Sequence, residues 1–118
     1  MSDLAKRAVA CKHWRWMPGM RLTANGPSTL RVCSHTTVVV EQTGAWYHLM
    51  TLDSADHLPD LTDPATLGCL LALVREAWKR DLYVRRFWGT HWGVIMDTRE
   101  YHAHSEAEAL ITALEAAP

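Results

Sequence analysis

Leu58-Pro-Asp-Leu-Thr-Asp-Pro-Ala-Thr-Leu-Gly-Cys-Leu-Leu-Ala-Leu-Val-Arg-Glu-Ala-Trp-Lys79 is a helix written with its own start signal and an almost wholly apolar body. A capping oxygen at Thr62 or Asp63 can take an orphan N–H, and Pro64 suits the first turn because its missing donor is not needed there. Leu67, Leu70, Leu71, Val74 and Trp78 recur at helical spacing and draw one continuous stripe. Between 67 and 74 no side chain is charged, so a helix here exposes apolar surface on every side unless the rest of the chain wraps it. The segment therefore predicts a central buried helix. Gly68 costs such a helix about 1 kcal/mol relative to alanine, and its place beside the stripe predicts close approach to a sheet. Cys69, among leucines, reads as packing.

Working upstream, residues 29–34, 37–42 and 45–52 are rich in Val, Thr, Trp and Tyr and are separated by short polar breaks, which predicts an antiparallel meander. Residues 13–17 alternate and end at Pro18-Gly19, so they read as a short strand or extended arm; 20–23 reads as a further strand before Asn25-Gly26-Pro27. Leu4, Ala5, Ala8 and Val9 behind Ser2 and Asp3 predict a two-turn helix over 3–11. Downstream, 83–88 and 92–97 flank Gly89-Thr90-His91, the composition of a hairpin. Ser105 with Glu108 is a capping box, and Ala107, Leu110, Ile111, Leu114 and Ala117 follow at helical spacing. The expectation is an α+β fold: an antiparallel sheet, made of a meander plus a C-terminal hairpin, packed against the central helix and a C-terminal helix.

At 118 residues the chain is the size of one domain, spanning 1–118. Twelve Lys plus Arg against thirteen Asp plus Glu leave a formal net charge of -1, which announces neither a polyanion partner nor an acidic nucleic-acid mimic. The charges Lys6 and Arg7 interrupt the apolar residues at the start, and no apolar run approaches the roughly 20 residues needed to cross a bilayer. A cytoplasmic protein without a membrane partner is expected. Three cysteines in such a compartment predict free thiols.

Several constellations carry a chemical reading beside a bland one. Cys11 with His13 and Cys33 with His35 are zinc-ligand types, but Cys-x-His is not a standard finger or ribbon spacing, so no metal is expected. His35-Thr36-Thr37 matches one half of the tandem His-x-Ser/Thr motif of two-histidine phosphoesterases, and the second half is missing; acid–base work needs two positioned groups. His102 and His104 read as solvated. Asp53, Asp56, Asp60 and Asp63 lack the loop pattern of a calcium hand and read as a polar linker. No catalytic residue and no cofactor is expected. Six tryptophans are many for this length, and two clusters interleave them with basic residues: Lys12-His-Trp-Arg-Trp16, and Arg75, Lys79, Arg80, Arg85 and Arg86 with Phe87 and Trp88. Trp, Tyr and Arg anchor interfaces, so Trp14, Arg15, Trp16, Arg85, Arg86, Trp88 and Trp92 are the expected partner-binding residues.

The phrases Ala10-Cys-Lys-His-Trp-Arg-Trp-Met-Pro-Gly-Met20, the 59–78 part of the helix quoted above, and Ser105-Glu-Ala-Glu-Ala-Leu-Ile-Thr-Ala-Leu-Glu-Ala-Ala-Pro118 resemble a group of small uncharacterised phage and prophage proteins. They cover both ends and the middle of the chain. The resemblance implies a small phage-type, non-enzymatic protein that binds a host protein or ribonucleoprotein complex in the host cytoplasm, as an inhibitor of host defence such as an anti-CRISPR does. Contact with nucleic acid and a homo-oligomer stay open. The alternative is a small enzyme, or a nucleotide- or nucleic-acid-binding protein, using a cleft with His35, His102 or His104.

Overall fold

The computed structural model describes residues 2–23, 29–34, 37–48, 57–89 and 91–118. The elements run α1 (Ser2–Ala10), β1 (Leu30–Ser34), β2 (Thr37–Val40), β3 (Trp46–His48), α2 (Pro64–Trp78), β4 (Tyr83–Arg86), β5 (Trp92–Ile95), β6 (Glu100–Ala103) and α3 (Glu106–Ala116). The fold is α+β, with the strands divided between two three-stranded antiparallel sheets, β1-β2-β3 and β4-β5-β6. The strand β6 joins what the sequence presents as a two-stranded hairpin. Its Glu100, Tyr101, His102 and Ala103 send only Tyr101 and Ala103 inward, too short an apolar pattern to stand out from a polar connection.

Residues 13–17 form no strand. The chain beyond them pairs with the free edge of β1: Gly19 N–H donates to the Val32 carbonyl at 2.8 Å, Val32 N–H to Met20 at 2.8 Å and Leu22 N–H to Leu30 at 2.9 Å. Gly19 turns into this pairing with φ +102°, a left-handed value that a side chain resists. The alternation of this stretch is used for burial, since Trp16, Met20 and Leu22 all enter the core.

The start of α2 lies where the sequence puts it. Asp63 caps the helix by accepting from Thr66 N–H and Thr66 Oγ1, both at 2.9 Å. The same carboxylate receives Arg31 of β1 through two contacts, at 2.9 and 3.0 Å, although Asp63 is only 5 % exposed. Arg31 also donates to the Gly19 carbonyl at 2.6 Å, and Arg21 N–H donates to Thr66 Oγ1 at 2.9 Å. Glu41 then joins Arg21 at 2.7 Å and Arg31 at 3.3 Å. This network fastens the first sheet to the beginning of α2.

The buried stripe of α2 is Thr66, Leu70, Leu73 and Val74, rotated slightly from the expected one; Leu67, Leu71 and Trp78 lie at its margins. Gly68 consequently faces outward, with nothing near the position of an added Cβ, so it marks no close approach to a sheet. Pro64, Ala65, Arg75 and Glu76 share the exposed side. Greater enclosure belongs to α3, where Ala107, Ala109, Leu110, Ile111, Ala113 and Leu114 are all buried. Alanine at three of these positions lets neighbouring backbones approach, and α3 touches α1, α2 and every strand of the second sheet. Trp78 of α2 reaches across to donate its indole N–H to the Ala113 carbonyl at 2.8 Å. One hydrophobic cluster includes Trp16, Val32 and Val38 on the side of the first sheet, Leu70 and Val74 of α2, and Val94 and Leu110 on the side of the second. Among the described residues no helix is long and apolar enough to cross a membrane.

Two outcomes test this account. Leu110→Ala should lower stability to urea by about 2–5 kcal/mol, the usual cost of emptying a packed core site, against little change for the exposed Glu115→Ala. The acid limb of stability should depend on Asp63. Its carboxyl is held well below the usual range, first by Arg31 and then by Thr66, against the opposing effect of burial. A depressed folded value means that the stabilisation is complete above the unfolded value of about 3.9 and is lost as pH falls toward the folded one. Glu41, lowered to about 2 chiefly by Arg21, acts in the same direction. Asp63→Asn should therefore cost about 1.5–3 kcal/mol at pH 7, the scale of a charged hydrogen bond, since Arg31 keeps Glu41 and the Gly19 carbonyl, and should flatten the decline of the urea midpoint below pH 4. An unaltered acid limb would count against the network.

Candidate functional site

In an antiparallel sheet, residues directly opposite one another share a face. The registers Val84–Val94–Tyr101 and Arg86–Trp92–Ala103 therefore place these side chains on one face of the second sheet, where Val94 and Ala103 join the core and Val84, Trp92 and Tyr101 pack against it. The registers Tyr83–Ile95–Glu100 and Arg85–Gly93–His102 define the opposite, outer face. The period-two alternation of β4 thus sends Tyr83 and Arg85 outward, and Phe87 continues the same row.

Gly93 lies in the middle of the outer face, and its lack of a side chain shapes everything around it. A Cβ there would stand 2.8 Å from Phe87 Cε2 and 3.2 Å from His102 Nδ1, so both rings close over bare backbone. His91 stacks on His102 with ring centroids 4.9 Å apart, and Phe87 meets the two imidazoles at 5.5 and 5.2 Å. His91 Nε2 lies 2.8 Å from His102 Nδ1, and His102 Nε2 lies 2.9 Å from Glu100 Oε1. An ionised carboxylate only accepts, so His102 donates through Nε2; in the neutral pair its Nδ1 then accepts from His91 Nε2–H. His102 is exposed, as the sequence leads one to expect, but both of its ring nitrogens have side-chain partners. His104 is exposed.

The hairpin between β4 and β5 carries Trp88 at its tip, 96 % exposed. Gly89, with φ +65°, makes the turn, and Arg86 Nε donates to its carbonyl at 3.2 Å. A depression of about 370 Å³ is lined by Phe87, Trp88 and His91. Arg85 lies over the Phe87 ring at 5.1 Å on the outer face, while Arg86 lies over Trp92 at 5.8 Å on the other.

The expected partner-binding residues divide. Arg85, Arg86 and Trp88 are exposed together at the hairpin tip. Trp92 supports Arg86 from beneath and packs on the core. Trp16 is only 6 % exposed and belongs to the core, which removes it from any docking surface. Trp14 is half-buried, meets Trp16 edge-on at 5.4 Å and has an indole N–H buried without a partner among the described residues. Arg15 is exposed but engaged by Glu76 in two contacts, at 2.6 and 2.7 Å. These three lie in the segment after α1, and burial rather than docking explains their pattern: successive residues of an extended chain alternate between the core and its edge. Tyr83, 52 % exposed, was not singled out by the sequence, nor were His91 and Glu100 as partners of His102. The alternation of Tyr83, Arg85 and Phe87 was the signal for the outer face; the contact across to β6 required the register.

The other constellations do not converge. His13 Nε2 is 3.2 Å from the Ala117 carbonyl oxygen, Cys11 is half-buried and Cys33 exposed. Cys69 Sγ donates to the Pro18 carbonyl at 3.4 Å, and burial pushes its thiol pKa up. Among the described residues no three His, Cys, Asp or Glu side chains are placed to hold a metal ion. His35, Thr36, Asp53 and Asp56 lie outside the described residues, so all of the half-motif at 35–37 but Thr37, and part of the acidic linker, do too. Asp60 accepts from Thr62 N–H and Oγ1, at 3.0 and 2.6 Å, and Asp63 is the cap of α2.

Gly93→Ala should drive its new methyl into the Phe87 and His102 rings and part His91 from His102, while lowering stability by no more than about 1–3 kcal/mol, the scale of local overpacking. Imidazole nitrogen NMR shifts would register the change, and shifts matching the wild type would refute the close packing over Gly93. Compared with known families, with curated proteins and with solved structures, the chain matches none of them.

Proposed function

We propose that this protein acts without catalysis, by docking on a host macromolecule through the tip and outer face of the β4–β6 sheet. The observation that carries this reading is Trp88, 96 % exposed and flanked by Arg85 and Arg86, whose guanidinium groups lie over Phe87 and Trp92. A large apolar ring in water gains free energy on burial, and Trp and Arg are the side chains that contribute most at interfaces. The tip is pre-shaped by the turn at Gly89 and by the Arg86 bond to its carbonyl, which limits the ordering cost of association. Taken with the resemblance of three segments to phage and prophage proteins, this surface supports an inhibitor of host defence such as an anti-CRISPR, engaging a host protein or ribonucleoprotein in the cytoplasm.

The second reading is a small enzyme, and the observation that favours it is the hydrogen-bonded chain from Glu100 through His102 to His91, a form that passes protons. A challenge assay separates the two. In a bacterium whose CRISPR system restricts a phage, expression of the wild-type chain should restore plaques. Trp88→Ala and Arg86→Ala should each reduce that rescue, with binding losses of roughly 30-fold, the 2 kcal/mol scale of an interface anchor. His102→Ala, which removes a neighbour of Phe87 but leaves Trp88, Arg85 and Arg86 in place, should reduce rescue less than either. Loss with His102→Ala and retention with Trp88→Ala would favour the enzyme, and absence of rescue by the wild-type chain would remove the anti-CRISPR assignment.

A further inference from the structure

Eight of the nine arginines of this chain fall into two sets; the ninth, Arg75, donates to the Leu82 carbonyl. Arg7, Arg15, Arg21 and Arg31 each meet a carboxylate: Glu115 at 2.7 Å, Glu76 at 2.6 Å, Glu41 at 2.7 Å and Asp63 at 2.9 Å. Arg80, Arg85, Arg86 and Arg99 instead lie over aromatic rings, at 6.0 Å from Trp78, 5.1 Å from Phe87, 5.8 Å from Trp92 and 5.6 Å from Trp78. Among the described residues no carboxylate lies within ion-pairing distance of this second set. All four belong to the second sheet and its flanks: Arg85 and Arg86 at the hairpin tip, Arg80 and Arg99 where the chain enters β4 and β6. A net charge of -1 conceals this partition. A guanidinium lying on a ring spends its flat face and keeps its N–H edge for an acceptor, the geometry that suits a phosphate or carboxylate.

We infer that the tip and outer face of the β4–β6 sheet receive a single-stranded nucleic-acid segment, with Trp88 stacking on a base and Arg85 and Arg86 meeting the phosphates on either side. The inference rests on the docking surface proposed above and names its ligand. The uncovered indole chooses a strand over an acidic protein. Trp88 presents both faces of its indole, and every nucleobase offers a flat ring to stack on one of them. An acidic protein surface would satisfy the guanidiniums and leave that indole without a planar partner. A single strand is favoured over a duplex because paired bases hide their faces within their own stack. Glu100, the carboxylate of the outer face, has Oε1 occupied by His102 Nε2–H, which moderates its repulsion of a phosphate. A ribonucleoprotein that exposes part of its RNA or of a displaced DNA strand would offer such a segment.

The test is fluorescence anisotropy of the full chain with end-labelled 20-nucleotide oligo-U and oligo-dT, and with a duplex of the same length, at 50 and 200 mM salt. Both single strands should bind more tightly than the duplex; the tighter of the two tells RNA from DNA. With two phosphate contacts, affinity should fall about 7-fold across that salt interval, and Arg85→Gln should reduce the logarithmic salt slope by about 0.7. Trp88→Ala should weaken binding roughly 10-fold and leave the salt slope intact. The substituted side chains are exposed, and thermal melts of both variants should overlay the wild type. Absence of binding to either strand at 50 mM salt, or binding insensitive to both substitutions, overturns the inference. Binding of a polyglutamate peptide in place of the oligonucleotides, lost in the same variants, keeps the docking surface and rejects nucleic acid. If phage rescue is also unaffected by Trp88→Ala, the docking surface itself is wrong.

Discussion

The link between Asp63 and Arg31 is the constraint on which the arrangement turns. One carboxylate closes the first turn of α2 through Thr66 and receives the guanidinium of a β1 residue, so the helix start and the first sheet are placed by the same pair of oxygens. A buried carboxylate is tolerable only when its charge and its lone pairs are both matched. Arg31 supplies the charge and Thr66 two further donors. Such a pair need add little net stability, because desolvating both ions offsets most of their attraction. What it supplies is position: a shift of β1 along its neighbours would draw Arg31 away from a buried carboxylate.

The helix placed in this way lies against α3, and α3 in turn carries the second sheet. Ala107, Ala109 and Ala113 bring backbones close enough for the sheet, α1 and α2 to share one helix as their common support. The inner face of β4–β6 is thereby used up by packing, and α3 leaves the outer face uncovered. Along that face the chain places rings and charges where a core would place aliphatic residues. Gly93 gives Phe87 and His102 a floor on which to lie, so the histidines meet Glu100 in a defined chain.

Charge follows the same division. Around α1 and the first sheet, Arg7, Arg15, Arg21 and Arg31 are consumed by carboxylates and act as fasteners. Around the second sheet they are supported by aromatic rings, which orient a guanidinium without neutralising it. A near-neutral chain can thus expose a local positive surface beside an uncovered indole, and net charge alone conceals it.

Much of the architecture is written in local sequence. Asp63 with Pro64 and Ser105 with Glu108 are signals read over one helical turn, and both helices begin at the residues they mark, because a cap needs only its own neighbours. The meander and the hairpin are equally local, since alternation and turn residues specify them. Legibility stops where a residue's role depends on what the fold brings from far away. Trp16 and Trp88 are the same residue type in similar basic surroundings, yet one is core and the other is almost wholly in water. Gly68 and Gly93 look alike in the chain, and only the second lies under two rings. The chain of Glu100, His102 and His91 crosses from β6 to the end of the hairpin, and Asp63 finds Arg31 from 32 residues away. Sequence alone determined the fold class, the three helices and the meander and hairpin through short-range spacing and capping, but not β6 or the absence of a strand at 13–17. The tertiary structure decided which tryptophans face solvent, which arginines are neutralised and which histidines touch, because those outcomes depend on strand register and on the face that α3 covers.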